Sequence, residues 1–237
     1  MMYISVKQIV YVFLTFLFVS SFTSALFAQR RNRQVVSIGP KIGANLSNLH
    51  GDVSNQTMQP GLSAGAILTY SVVNTFGLSL EALYSQKGAK FENVPFNTTQ
   101  RINFNRRLNY VEVPLLARYF LNKEGDFRPN IFLGPNFGFK LNGKDVNRSI
   151  VGGATQPDLE ISNTVNPVDV GITGGIGLNL RLQGAMRALL DVRYTYGFSN
   201  IADSQITGFT VANPTVGNSA ITVTAGLSFG IGKKYEK

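Results

Sequence analysis

Between Val36 and Ile231 the chain repeats one pattern: apolar side chains at alternate positions, with glycine, serine, threonine and ionic residues between them. In Leu78-Ser-Leu-Glu-Ala-Leu-Tyr-Ser-Gln-Lys-Gly88 the even positions Leu78, Leu80, Ala82 and Tyr84 are apolar, while the odd ones include Ser79, Glu81, Ser85 and Lys87. A period of two means a strand whose two faces meet unlike surroundings. The pattern predicts eight strands, over 36–46, 62–70, 78–88, 109–121, 130–140, 168–181, 188–198 and 220–231.

The apolar face of these strands carries no charge; the other carries Lys41, Glu81, Glu112, Arg118, Asp169, Arg181, Asp191 and Arg193 among glycines. A soluble barrel would turn the apolar face inward. Three features favour the reverse. Strands of this length, tilted about 45°, reach the roughly 25 Å height of the apolar band on an outer-membrane barrel. Aromatics fall near both strand ends, with Tyr70, Tyr119 and Phe229 at one rim and Tyr84, Phe137, Phe139 and Tyr196 at the other, as interfacial girdles do. The polar face is also too glycine-rich and too mixed in charge for a soluble exterior. Because lipid offers no partner to an unpaired backbone amide, such a sheet must close on itself. The expected fold is all-β, an eight-stranded antiparallel up-and-down transmembrane β-barrel.

The segments between these strands alternate long and short: 47–61, 89–108, 141–167 and 199–219 against 71–77, 122–129 and 182–187. Outer-membrane barrels pair long extracellular loops with short periplasmic turns, which puts both termini on the periplasmic side. Eight strands enclose a lumen that side chains can fill. Lys41, Glu81, Glu112, Arg118, Asp191 and Arg193 are therefore expected to form a polar network inside a plugged barrel. Pro40, Pro114 and Pro135 fall within strands, where each calls for a bulge or a place beyond the bilayer core. Pro40 and Pro135 share a context, Gly39-Pro-Lys-Ile-Gly43 and Gly134-Pro-Asn-Phe-Gly138.

Length and composition agree with one exported domain. The 237 residues contain no Cys, which excludes disulfides, thiol catalysis and Cys metal sites, and only 15% are charged. Lys7 precedes an apolar run, Ile9 to Ala28, that ends in small residues. Residues 1–28 thus read as a cleaved secretory signal peptide, with cleavage after Ala25 as an alternative to Ala28 and an uncleaved anchor as the rival. Residues 29–237 are the barrel domain. Its formal charge is 21 − 13 = +8. The expected location is the outer membrane of a Gram-negative-type bacterium.

Several segments resemble the PorT-like family of small outer-membrane β-barrel proteins, and the likeness covers nearly all of the mature chain. They are Gly43-Ala-Asn-Leu-Ser47, Pro60-Gly-Leu-Ser-Ala-Gly65, Glu81-Ala-Leu-Tyr-Ser-Gln-Lys-Gly88, Tyr110-Val-Glu-Val-Pro-Leu-Leu116, Gly134-Pro135, Asp169-Val-Gly-Ile-Thr-Gly-Gly175, Arg193-Tyr-Thr-Tyr-Gly197 and a last strand ending in Phe229. The resemblance implies an eight-stranded barrel and, for one branch, a component needed by a protein-secretion and gliding system. It carries over no catalytic residue.

The residues themselves leave three function classes in view: a structural, surface-interaction or secretion-accessory barrel, a lipid-modifying enzyme, and a soluble ligand-binding barrel. His50, the only histidine, lies beside Asp52 and is the one pointer to an enzyme. A lone loop histidine is ordinarily solvated, so no catalytic site, cofactor or metal is expected. Gly171 to Gly177 is glycine-rich but opens no helix, which argues against a phosphate-cradling loop. Arg101, Arg106 and Arg107, with Lys144 and Arg148, make the long segments basic. For an exported protein the phosphates at hand belong to surface lipids, lipopolysaccharide among them, rather than to nucleic acid. Outer-membrane assembly machinery and envelope or secretion-system proteins are the other expected partners.

Overall fold

The computed structural model describes residues 35–202 and 214–231; the expected signal peptide lies outside the described residues. The strands are β1 (Val35–Gly51), β2 (Gln56–Val73), β3 (Phe76–Pro95), β4 (Arg101–Phe120), β5 (Phe127–Ile150), a short β6 (Leu159–Glu160), β7 (Val168–Arg181), β8 (Met186–Gly197) and β9 (Val216–Ile231). All pairings are antiparallel. β5 pairs with both β4 and β7, and β1 pairs with β9 from Val36 opposite Ile231 to Gly51 opposite Val216. The sheet is therefore a closed eight-stranded up-and-down barrel, with β6 added at the edge of β5.

Side-chain direction follows the expected sense. Leu80, Leu115 and Val192 are 45%, 45% and 42% exposed on the outside, while Glu81 and Asp191 are 1% exposed within. In water such a surface would aggregate; in lipid it is the favourable one.

The strands are longer than the alternation of outward apolar residues predicts. β3 and β4 each have 20 residues and β5 has 24. Twenty residues at about 3.4 Å each and a tilt near 40° give roughly 50 Å of height, about twice the apolar band. The excess stands at the end away from the termini. There the expected long segments 47–61 and 89–108 shrink to the turns 52–55 and 96–100, so the apparent alternation of long and short loops was in these two cases unrecognised strand.

β4 shows why. Its outward odd positions run Val111, Val113, Leu115, Ala117, Tyr119, and then, above Tyr110, become Asn109, Arg107, Asn105, Asn103, Arg101. Its inward even positions, where Glu112 and Arg118 alternate with Leu116 and Phe120 in the shaft, become Leu108, Phe104 and Ile102 with Arg106 among them in the collar. The strand has left lipid for water, and its polarity inverts while its pleat continues. We call the lower part the shaft and the upper part the collar.

Leu49, Phe91, Val94, Ile102, Phe104 and Leu108 form an apolar core inside the collar, completed by Ile161, Val165, Ile201 and Val216 from the segments around it. The Ile161 amide donates to Gly143 O (2.9 Å), the Ile201 amide donates to Val216 O (2.8 Å), and Val165 bridges to Ala202. These segments close over the collar core.

The prolines need no bulge. Pro40, Pro114 and Pro135 each leave a gap in one ladder, between β1 and β9, β3 and β4, and β4 and β5, and the register is the same on either side. The paired Gly-Pro contexts have a shared geometry. Pro40 and Pro135 face Leu227 and Leu115, whose carbonyls they cannot satisfy. A Cβ on Gly39 would lie 1.7 Å from Leu227 O, and one on Gly134 1.9 Å from Leu115 O. Only a glycine Cα–H fits against each bereft carbonyl, where it supplies a weak hydrogen bond.

Candidate functional site

The shaft interior holds a five-membered ionic cluster. Strand alternation points Lys41 of β1, Glu81 of β3, Arg118 of β4, and Asp191 and Arg193 of β8 inward, and the five meet. Lys41 Nζ donates to Glu81 Oε1 (3.1 Å) and Asp191 Oδ2 (2.6 Å). Arg193 clamps Glu81 with Nη1 to Oε2 (2.7 Å) and Nη2 to Oε1 (3.1 Å). Arg118 donates from Nη2 to Asp191 Oδ2 (2.9 Å), from Nη1 to Asn130 Oδ1 (2.9 Å) and from Nε to Ser79 Oγ (2.9 Å). The Phe132 ring lies 4.3 Å from the Arg118 guanidinium and 5.4 Å from that of Arg193, a cation–π support. β3 and β8 stand on opposite sides of the ring, so the Glu81–Arg193 pair spans the lumen and fills it at this level.

Glu112, expected in the same cluster, sits one layer higher. Lys87 Nζ and Asn136 Nδ2 both donate to its Oε1 at 2.6 Å. Above it, Asp169 Oδ2 accepts from Asn218 Nδ2 (2.9 Å), which also reaches Tyr110 Oη (3.2 Å), while Asp169 Oδ1 accepts from Ser199 Oγ (3.0 Å). Highest, in the collar, Arg106 binds Asp145 with both ends of its fork, at 2.8 and 2.7 Å. It packs near the stacked rings of Phe91 and Phe104. Among the described residues the buried ionic groups are Lys41, Lys87, Arg106, Arg118 and Arg193 against Glu81, Glu112, Asp145, Asp169 and Asp191, five of each sign. Asp169 offsets the surplus cation of the lower cluster without touching it.

Of the three arginines expected at surface lipid, Arg101 and Arg107 are exposed on the collar wall. Arg106 is not: at 3% exposure it points into the collar, because an even position on β4 faces inward. Lys144 lies directly across from Arg107 on β5. It is 53% exposed, with a loose 3.6 Å contact to Glu160. His50 stacks on Tyr196 with ring centroids 4.3 Å apart. The carboxylate of Asp52 accepts from the Thr215 amide (2.9 Å). Among the described residues no three His, Asp or Glu side chains are grouped to hold a metal.

Sequence reading missed Lys87 as the partner of Glu112, and the Arg106–Asp145 pair altogether. Lys87 was visible as an inward odd position of β3; the Arg106–Asp145 pair depends on the β4–β5 register.

The family described as outer membrane protein beta-barrel domain matches residues 27–203, more than half of the chain. Among curated proteins no relative matches. Similar solved structures include AlkL in lipid bilayers, at 12% identity over 87% of this chain and 94% of that one with a TM-score of 0.48. OprG from Pseudomonas aeruginosa has 13% identity over 86% and 98%, with a TM-score of 0.45. Neisserial surface protein A has 12% identity over 82% and 96%, also at 0.45. A closed barrel with a lipid-facing apolar exterior, matched along most of its length by this family, places the protein in the Gram-negative outer membrane: the chain belongs to the outer membrane protein beta-barrel domain family.

Proposed function

We propose that the protein is a filled, non-catalytic surface barrel whose collar binds the phosphate-bearing headgroups of outer-leaflet lipid, lipopolysaccharide in particular. The observation that carries this reading is the inversion of the outward face of β4 at Tyr110. It sets the lipid boundary, and Arg107 with Lys144 beside it stands four residues above Val111, roughly 13 Å along the strand. That is the level at which headgroup phosphates lie over the acyl chains, and guanidinium suits them. Arg101 extends the basic wall upward. At the collar's lip Phe96 and Val151 are 45% and 48% exposed, a small apolar tip for an envelope or secretion-system protein. The resemblance of several segments to the PorT-like family supports a secretion-accessory role within the broader family.

The test is a triple variant, Arg101→Ala, Arg107→Ala and Lys144→Ala, purified from outer membranes in mild detergent. Insertion and heat-modifiable migration should persist while most of the co-purifying phosphate-bearing lipid is lost. Undiminished lipid retention by a correctly inserted triple variant would sink the reading.

A further inference from the structure

The end of the barrel opposite the collar carries a second concentration of cations, reached from the periplasmic side if termini and short turns lie there as in other outer-membrane barrels. Alternation points Arg128 of β5, Arg181 of β7 and Arg187 of β8 inward at the lumen's mouth, where all three converge on the turn 121–126. Arg128 lies over the Phe120 ring at 4.2 Å, donates from Nε to Asn122 O (3.3 Å) and bonds Asn74 O. Arg181 reaches Asp126 at 3.5 Å, both groups being largely exposed. Arg187 is the odd one. Its Nη2 has one long bond to Gly125 O (3.4 Å), and its buried Nη1 has no partner. Arg128 is close enough to Arg187, and Arg187 to Arg181, for their charges to repel, with Glu124 and Asp126 as the smaller opposing influences.

Next to them a narrow cleft runs inward, lined by Ser37, Ile67, Thr69, Asn179, Leu189 and Ser228 and ending at Arg118. No carboxylate lines it. The acids nearby, Glu124 and Asp126, sit on the exposed outside of the turn. Arg128 and Arg187 stand directly opposite the cleft residues Asn179 and Ser228, so an oxyanion held at the mouth has hydroxyl and amide groups beside it. The alternative explanation, that these arginines neutralise buried acids, fails: the deeper ionic groups already balance five against five.

We propose that this mouth is an anion-binding site, in which Arg187 and Arg128 hold one carboxylate or phosphate group presented from the periplasmic side. An incoming oxyanion supplies the acceptor that Arg187 Nη1 lacks and relieves the repulsion between the two guanidinium groups. The position inside the wall, away from the lipid face, selects a soluble ligand: free phosphate, or the terminal carboxylate of a peptide. The inference does not depend on the lipid-binding collar, which is at the other end of the molecule.

The full-length protein in zwitterionic micelles would be titrated calorimetrically with inorganic phosphate, with N-acetylalanine, and with N-acetylalaninamide, which lacks the charge. Binding of phosphate alone identifies a phosphate site and binding of N-acetylalanine alone a peptide-carboxylate site; either supports the proposal, as does binding of both. Arg187→Gln should weaken binding about tenfold, the loss of one charge-assisted hydrogen bond, and Arg148→Gln in the collar should leave it unchanged. Should Arg187→Gln fail to migrate as a folded barrel, Arg187→Lys replaces it, keeping the charge while removing the fork. Absence of binding by either anion, equal binding of the neutral amide, or full affinity in a folded Arg187 variant overturns the proposal.

Discussion

Shaft and collar are made from the same strands, yet one is built inside out relative to the other. In the shaft Leu115 faces lipid and Glu81 and Arg193 share the interior; in the collar Asn105 faces water and Leu108 is wholly buried. β4 keeps its pleat and its two neighbours through Tyr110, although its register with β5 slips by one residue there. What differs is the solvent each face meets. A hydrophobic core in the collar is held by exclusion from water, whereas the shaft interior is held by ion pairs whose members have nowhere else to go.

The sharpest way to break the comparison is to remove a charge from the lower cluster. Glu81→Leu leaves Lys41, Arg118 and Arg193 with Asp191 alone, and should cost about 3 to 5 kcal/mol in urea unfolding from micelles. Adding Arg193→Met should recover part of that loss, because the stranded charge goes with its partner. Next comes Leu108→Ala in the collar core, expected to cost about 2 to 5 kcal/mol. Hydrogen exchange should place this loss in the upper parts of β3, β4 and β5, with insertion intact. The smallest and most diagnostic experiment uses one strand and one substitution twice. Leu115→Arg on the shaft should cost about 2 to 4 kcal/mol near the bilayer midplane. Asn105→Arg on the collar should stay within about 0.5 kcal/mol. Equal costs at the two sites would mean that the polarity boundary does not lie at Tyr110.

The shaft was legible in sequence because its outward residues are uniformly apolar. β7 is found at 168–181, as the alternation predicts, and the facing of each strand, including the inward Lys41, Arg118 and Arg193 around Glu81 and Asp191, follows from parity alone. The collar was not, although its signal is there. Residues 101–109, Arg-Ile-Asn-Phe-Asn-Arg-Arg-Leu-Asn, still alternate, but the apolar set has moved to the even positions, and Arg106 interrupts it. A search for outward apolar runs reads that as a loop. Arg106 makes sense only beside Asp145, and their meeting depends on the β4–β5 register, including its shift near Asn109, which no single strand reveals. The height of Glu112 above the lower cluster was hidden for the same reason: parity tells which way a residue points, not how far up the lumen it stands.

The even count of buried positive and negative groups has a consequence for the whole molecule. Among the described residues those ten sum to zero, so the fully buried part of the interior carries no net formal charge. A voltage across the envelope therefore exerts no net pull on this buried core of the rod.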